Sequence, residues 1–489
     1  MASTSNKKTL SNRLALSAAV ATALLSGYGS RQAYAVVGSC AGGSGTYLCD
    51  NTFQNSIVFA VVDTALSITT GTAFEVTTIV GDALSMTTTG SDSSLSFTQS
   101  GNYLINGNQK GISAQNNGTG NTTITTTGAV YGFNDDGMNI YNAPSASDLT
   151  VEATDVASYD GHAIRVYNNG RGNTSIATTG AVYSYGADGI HANNGVDSIN
   201  LTITAKGDVI AYDGRAISAA NSGSGYTKIT TAGGVIYGGI YAENFSTAGN
   251  LTIKAANVER GVTAVNKGNG FTNITVSGTS YDGDNGIYAY NSATATDITI
   301  DSNVTSGATN GIYTQNLGTG NTIIDSTTST GGEAGIVALH GDPFDDTKAS
   351  SGYISITSAE ADGSDYAIGA FNGVAGDITI TSTVSATSTS QAAISAFALN
   401  GDVTVNAAYV SGGSRGIAVS ADTGDINITS TGEVIATDGS DGYGIKASAD
   451  TGDIDITSTG AVTGSHKGIQ ADTDSGSITI NTEDIVTSE

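Results

Sequence analysis

An apolar residue directly after a small one recurs at a nearly constant distance along most of the chain. The first five such positions are Ile112, Met138, Ile164, Ile190 and Ile217, and their separations are 26, 26, 26 and 27 residues. We call the whole series the anchors, and its other members are Ile240, Val262, Ile287, Ile312, Ile336, Ile368, Ile394, Ile417, Ile445 and Ile469. Such a period predicts a repeat architecture, in which successive turns of the chain stack on one another.

Each anchor is followed by a second segment in which apolar and polar residues alternate, as in "GDITITST" and "GDINITST". Most units then close with a third short apolar patch, as in "GAVYG". Alternation with period two indicates half-buried strands, and none of these strands could bury itself alone. Left-handed hexapeptide helices have shorter and strictly regular units. We therefore predict an all-β fold, a right-handed parallel β-helix of fifteen or more three-strand coils with an N-terminal cap.

The composition supports strands joined by turns. The 489 residues include 66 Gly, only 2 Pro and no Trp, and 12% of them are charged. Thr, Val and Ile are abundant, whereas Glu, Lys, Gln and Arg, which favour helices, are scarce. At 38% hydrophobic residues the chain is too apolar for a disordered acidic tail.

The N-terminus has the pattern of a signal peptide. Lys7, Lys8 and Arg13 make it positive, an uncharged apolar run follows from Leu14 to Leu25, and small residues flank Tyr34 in "AYA". We expect cleavage after the alanine that ends this triplet, and export of the rest of the chain. The predicted division is therefore 1–35 signal peptide, 36–105 N-terminal cap and first coils, and 106–489 β-helix repeats.

The net charge limits the expected binding partners, and the cysteine pair predicts a disulfide bond. The net charge is −27, and removal of the signal peptide, with four basic and no acidic residues, takes it to −31. Nucleic acid and anionic membranes are therefore not expected partners. The two cysteines, Cys40 and Cys49, lie close together in "CAGGSGTYLC", which in an oxidising compartment favours a disulfide bond over a metal site.

The stretch "DGHAIRVYNN" places Asp160, His162 and Arg165 within six residues. Asp-Gly pairs precede several anchors, where they suit tight turns. If the turns stack, we expect five carboxylates in one exterior column: Asp135, Asp136, Asp160, Asp188 and Asp213.

Two chemistries could use this column. With its histidine and arginine it loosely resembles the polygalacturonase pattern, although Ala163 and Val166 depart from it, and that resemblance implies a catalytic set of Asp135, Asp136, Asp160, His162 and Arg165. Alternatively the carboxylates could hold Ca²⁺, with Asp136, Asp160, Asp188 and Asp213 as candidates. Because the Asp-Gly pairs also recur without His or Arg, we expect structural turns, no cofactor and no enzymatic activity.

The other histidines, His191, His340 and His466, show no zinc-ligand spacing along the chain, so no metal site is expected. One coil is enlarged by "ALHGDPFDDTK", which predicts a loop projecting around 339–348. Because binding often resides on loops of rigid scaffolds, the candidate binding residues there are His340, Asp342, Phe344 and Asp345.

The signal peptide, the close cysteine pair and the tandem "GDITITSTG" coils together resemble the passenger domain of bacterial autotransporters (type V secretion), over about residues 36–489. The resemblance implies export through the periplasm to the cell surface or the medium, and an adhesin that binds a host or surface glycan or protein. Passengers cross the outer membrane through their own C-terminal β-barrel, and we expect outer-membrane contact only through a barrel that this sequence lacks.

Three functions follow as alternatives. An adhesin-like surface rod is the first. A structural filament that associates head to tail is the second. A polysaccharide-degrading β-helix enzyme is the third.

Overall fold

The computed structural model describes residues 40–43, 45–341, 351–438, 442–484 and 486–488. The predicted signal peptide lies outside these ranges, and so do Asp342, Phe344 and Asp345 of the predicted binding loop. Every helix or strand assigned within the ranges is a β-strand. No helix in the described part is long and apolar enough to cross a membrane.

The fold is the right-handed parallel β-helix predicted from the sequence. Its strands form two sheets along the solenoid, and neighbours within each sheet come from successive turns. Sheet 1 has seventeen strands in the described ranges: Ile57–Val62, Leu84–Gly90, Ile112–Gly118, Met138–Asn142, Ile164–Asn168, Ile190–Asn194, Ile217–Asn221, Ile240–Asn244, Val262–Asn266, Asn285–Asn291, Asn310–Asn316, Ala334–His340, Tyr366–Ala375, Ala392–Asn400, Arg415–Thr423, Tyr443–Thr451 and Lys467–Ser475. Since parallel neighbours lie about 4.8 Å apart, these turns stack over about 80 Å.

Sheet 2 bends around the rest of each turn. Its described strands are Cys40–Gly43, Thr46–Cys49, Thr52–Phe53, Leu66–Thr70, Glu75–Thr77, Leu95–Thr98, Ile105–Gly107, Thr122–Thr125, Val130–Gly132, Leu149–Ala153, Val156–Ser158, Thr174–Thr178, Val182–Ser184, Leu201–Ala205, Val209–Ala211, Thr227–Thr231, Val235–Tyr237, Leu251–Ala255, Asn257–Glu259, Thr272–Asp282, Ile298–Gly307, Thr322–Gly331, Ile354–Gly363, Ile378–Ser388, Val403–Gly412, Ile426–Ser430, Val434–Ala436, Ile454–Ser458, Val462–Gly464, Ile478–Thr482 and Val486–Ser488. All pairings are parallel except that of the first two strands, which form an antiparallel hairpin.

The anchors explain the register of sheet 1. Met138 pairs with Ile112 on one side and Ile164 on the other, and the series continues turn by turn to Ile469. All anchors except Ile469, which is partly buried, are at most 2% exposed. Each apolar side chain therefore packs on its equivalents in the turns above and below, which gives the solenoid a continuous core.

Three strands per turn, as predicted, occur through most of the first half and again in the last turns. Between Thr272 and Gly412, however, the two strands of sheet 2 run together as one long strand in each turn. A register shift between Val276 and Thr279 marks the place where they join. The chain thus turns this corner by an irregularity inside a strand, where the other turns use a separate loop.

The beginning of the described chain already belongs to the solenoid. The strands Ile57–Val62 and Leu84–Gly90 stack in register below Ile112, so two turns precede the first anchor. Buried Phe74 and Phe97 fill the core there. Cys40 and Cys49, the pair that the sequence predicts, are joined by a disulfide bond across the first hairpin.

A buried column of asparagines, which the sequence analysis did not identify, lies four residues after successive anchors. We call it the asparagine ladder, and its members are Asn116, Asn142, Asn168, Asn194, Asn221, Asn244, Asn266, Asn291, Asn316 and Asn372. The amide of Asn244, for example, donates to the carbonyl oxygens of Gly249 (2.8 Å) and Asn250 (3.1 Å) in the bend that follows its own strand. These side chains satisfy backbone groups where the chain leaves sheet 1.

His340 occupies the ladder position between Asn316 and Asn372. It is the last residue of a strand and is 0% exposed. The prediction that His340 lies in a projecting loop is therefore wrong, because the stacking register continues through this residue and turns its side chain into the core.

Candidate metal site and surface ladders

The turn that leads into sheet 1 aligns charged residues from consecutive coils. Backbone N–H groups of Gly137, Ala163 and Gly189 donate to the carbonyl oxygens of His162, Asp188 and Arg215, respectively, at 2.9 to 3.1 Å. These bonds place one residue of each coil, two positions before the anchor, directly above its equivalent. We call this column the charged ladder, and it contains Lys110, Asp136, His162, Asp188 and Arg215.

The predicted column of five aspartates is therefore wrong. Asp136 and Asp188 belong to the charged ladder, whereas Asp160 and Asp213 lie two positions earlier in their coils and are exposed. The coils align by their anchors, and the Asp-Gly pair directly precedes the anchor in two coils but lies two residues further back in the other two. The four predicted Ca²⁺ candidates are consequently divided between two columns.

Asp136 is enclosed by protein groups and is only 1% exposed. Its Oδ1 accepts the N–H of His162 (2.9 Å), and its Oδ2 accepts the amide of Asn139 (2.7 Å). The Arg165 guanidinium lies 3.6 Å from the same Oδ2. These contacts tie one coil to the next and leave little of the carboxylate open to a ligand.

The proposed catalytic residues are thus only partly brought together. Asp136, His162 and Arg165 are in contact, but Asp135 forms an ion pair with Lys110 at 2.7 Å, and Asp160 stands in the exposed column. Asp136, the most deeply buried carboxylate of this set, is therefore held by structural contacts.

Stacking brings together a group that the sequence analysis missed, consisting of His162, Asp188 and His191. Oδ2 of Asp188 lies 2.9 Å from Nδ1 of His191 and 3.7 Å from Nδ1 of His162. One ligand atom from each residue lies within 4.8 Å of the other two, and this is the only group of three or more His, Cys, Asp or Glu residues with such a geometry in the described ranges. The histidine positions were compared along the chain and not across stacked coils, so His162 and His191 were not brought together in the sequence analysis.

The environment of His162 and Asp188 favours the protonation forms that a metal ion requires. Burial, and then the neighbouring His191, lower the pKa of His162, so its imidazole is neutral near pH 7. Burial of Asp188 opposes ionisation, but hydrogen bonds from His191 and from the Arg215 N–H outweigh it and lower the pKa of this carboxyl. Two imidazoles and one carboxylate form a ligand set typical of zinc and other transition metals, whereas Ca²⁺ prefers oxygen ligands alone.

A second column runs three residues before the charged ladder in four of the same coils and continues into the next coil. We call it the aromatic ladder, and it contains Phe133, Tyr159, Tyr185, Tyr212 and Tyr237. Phe133 and Tyr159 stack with centroids 5.3 Å apart and an interplanar angle of 8°, and they are 53% and 54% exposed. The guanidinium of Arg260 lies 4.9 Å from the ring centroid of Tyr237 and closes the far end of the ladder.

A further series of contacting side chains begins at Arg215 and runs through the coils that follow. The Arg215 guanidinium lies 3.8 Å from the ring centroid of Tyr241, whose hydroxyl donates to Glu243 at 2.8 Å. Burial, together with this hydrogen bond to a carboxylate, raises the pKa of Tyr241 to about 12. Lys267 in the next coil pairs with Glu243 at 2.7 Å, so the chain of contacts continues from turn to turn.

Comparison with known proteins finds no match among protein-family models, curated proteins or solved structures. What the chain shows directly is therefore the parallel β-helix, with the ladders and the histidine cluster that it carries.

Proposed function

We propose that this chain is exported and acts at the cell surface or in the medium as an adhesin-like β-helix, which binds a glycan or protein ligand along its side. The observation that carries the proposal is the aromatic ladder. Five consecutive coils present aromatic side chains in one column, and two of the rings are more than half exposed. Contiguous exposed apolar surface commonly marks a site of interaction.

The position of the ladder supports a binding role. Two of its tyrosines, Tyr159 and Tyr212, directly precede exposed Asp160 and Asp213 in the chain. Aromatic surface next to hydrogen-bonding groups suits both sugars and protein side chains. The backbone beneath is fixed by hydrogen bonds between coils, so little conformational entropy is lost when a ligand binds.

Export is tested separately from binding. The full chain, expressed in a bacterium with a periplasm, is expected to lose its first 35 residues, and N-terminal sequencing of the exported protein should begin at Val36. An exported chain that keeps Met1, or a chain that stays in the cytoplasm, would contradict this part of the proposal.

Binding is tested with the purified chain on immobilised polysaccharides and extracellular-matrix proteins. Tyr159→Ala and Tyr185→Ala are expected to weaken binding by about ten-fold or more, because they interrupt the ladder at its centre. Tyr313→Ala is the matched control, since Tyr288 and Tyr313 also stack, with centroids 5.7 Å apart, but lie several coils away. Equal losses in all three variants would argue against a site on the ladder.

The alternatives give different outcomes. Concentration-dependent polymerisation without binding to any immobilised ligand would favour a filament. Release of reducing sugars from a pectin-like polymer, lost in Asp136→Asn, would favour an enzyme.

A further inference from the structure

We propose that His162, Asp188 and His191 form a binding site for a zinc-class divalent metal ion. The proposal concerns a site that surface adhesion does not require, so it stands or falls independently of the proposed function. It rests on the placement of three ligands by two consecutive coils.

The backbone holds the three ligands in a fixed relation. His162 and Asp188 occupy neighbouring positions of the charged ladder, and His191 follows Asp188 by three residues, near the start of the strand Ile190–Asn194. The rings of His162 and His191 lie with centroids 4.7 Å apart. At metal–ligand distances of about 2.0 Å, tetrahedral ligand atoms are about 3.3 Å apart. That value lies between the separations of 2.9 and 3.7 Å from Oδ2 of Asp188 to the two imidazole nitrogens.

Groups around the ligands orient them as at known metal sites. Oδ1 of Asp188 accepts the Arg215 N–H at 2.8 Å, which leaves Oδ2 directed at the two histidines. Nδ1 of His191 faces this oxygen, while its Nε2 lies 3.5 Å from the hydroxyl of Tyr167. An imidazole whose second nitrogen contacts a hydrogen-bonding partner is the usual arrangement around bound metal ions.

Two existing bonds must be exchanged. The hydrogen bond of 2.9 Å between Nδ1 of His191 and Oδ2 of Asp188 would give way to bonds from both atoms to the ion, with the ring proton on Nε2. The N–H of Asp188 donates to Nδ1 of His162 at 3.1 Å, so that nitrogen carries a lone pair, and a metal ion would take the place of the N–H donor or bind after the ring rotates. The positive charge of Arg165 lies near the site, but Asp136 partly neutralises it at 3.6 Å. The net charge of −27 further favours a cation.

The side chains of His162, Asp188 and His191 are 20%, 17% and 25% exposed. An ion can therefore enter from solvent without unfolding, and water can complete its coordination. Three protein ligands with an open position distinguish this site from a closed structural zinc site, which has four.

The test uses the purified full chain without a histidine tag, titrated with Zn²⁺ by calorimetry and with Co²⁺ by visible absorption. The expected result is one strongly bound ion per chain and a cobalt spectrum typical of nitrogen and oxygen ligands. His162→Asn and His191→Asn are expected to weaken binding by at least about ten-fold. Asn139 already occupies the position of His191 two coils earlier, so asparagine fits this column.

His466→Asn is the matched control, because His466 is exposed and outside the cluster. Its zinc affinity should equal that of the parent chain. Circular dichroism without metal verifies that each variant retains the parental β-sheet spectrum. Failure of the parent chain to bind zinc, or equal affinity of a folded His191→Asn variant, would overturn the proposal.

Discussion

Asn316 and His340 occupy the same position on consecutive coils, but only the asparagine is well accommodated there. The amide of Asn316 donates to the carbonyl oxygens of Thr296, Gly320 and Asn321 at 3.1 to 3.4 Å, and its oxygen accepts the N–H of Gly318 at 3.0 Å. His340 is equally buried, and neither of its ring nitrogens forms a well-aligned hydrogen bond with the described residues.

This difference predicts an acid-sensitive coil. Burial lowers the pKa of His340 to about 4, although the Gly318 backbone nearby slightly favours the charged form. Because the unfolded chain, with a pKa of 6.5, binds the proton more readily, the stability contributed by neutral His340 is fully present above pH 6.5. It is lost as the pH falls from 6.5 to about 4, by about 3 kcal/mol.

The variant His340→Asn should remove this loss. Urea unfolding of the parent chain and the variant at a series of pH values measures the difference, and the free energy of unfolding of the variant should fall less steeply below pH 6.5. His466→Gln is the control, since exposed His466 should leave the parental slope intact. Identical slopes in the parent and His340→Asn would show that His340 is protonated without cost.

The asparagine ladder predicts a second contrast, between neighbouring residues. Asn194 is 0% exposed, donates to the Asn200 carbonyl at 3.0 Å and accepts the Thr174 hydroxyl, whereas the side chain of Asn193 points outward. Asn194→Ala should destabilise the chain by about 2 to 3 kcal/mol, because it leaves buried polar groups without partners.

Asn193→Ala makes the same chemical change one residue away. Ala220 occupies the equivalent outward position on the next coil, so alanine fits there and the change should be within about 0.5 kcal/mol. Urea unfolding of both variants provides the comparison. Equal destabilisation would mean that the ladder contributes no more than an ordinary surface asparagine.

Loss of the disulfide bond in the first hairpin should have only a local effect on stability. The Cys40–Cys49 bond closes the hairpin at the start of the solenoid, where only one side of the strand Thr46–Cys49 pairs with a following coil. Cys40→Ser with Cys49→Ser should expose this segment to limited proteolysis but change the main unfolding transition little, since stability in stacked repeats is largely local. Early loss of the whole solenoid in the double variant would show that the hairpin controls its unfolding.

The repeat period alone was sufficient to predict the fold. Each anchor is apolar and follows a small residue. At this spacing, stacking one coil on the next buries all the anchors together, and few other folds would do so. The same spacing also contained the asparagine ladder, since Asn142, Asn168 and Asn194 each follow an anchor by four residues. The ladder was not identified from the sequence because only apolar and acidic positions were followed from coil to coil.

The candidate site was harder to predict, because it depends on alignment between coils to within one residue. His162 and His191 are 29 residues apart, a distance that gives no metal motif until one coil of 26 residues is subtracted and three remain. The predicted aspartate column was wrong for the same reason. It aligned the Asp-Gly pairs with one another, whereas the coils align by their anchors, such as Ile164 with Ile190. The position of each aspartate relative to its anchor decides its burial: Asp136, two residues before an anchor, is buried, whereas Asp160, four residues before one, is exposed.

The two aspartates that the sequence treated as equivalent should behave differently. Asp136→Ala removes the acceptor for the His162 N–H and the Asn139 amide and leaves Arg165 without its nearest carboxylate, so it should destabilise the chain by about 2 to 3 kcal/mol. Asp160→Ala changes an exposed residue and should alter stability by about 0.5 kcal/mol or less. Urea unfolding at pH 7 compares them, and circular dichroism verifies that both variants fold. If Asp160→Ala were the more damaging change, the alignment of coils by their anchors would be wrong at this turn, and the charged ladder with it.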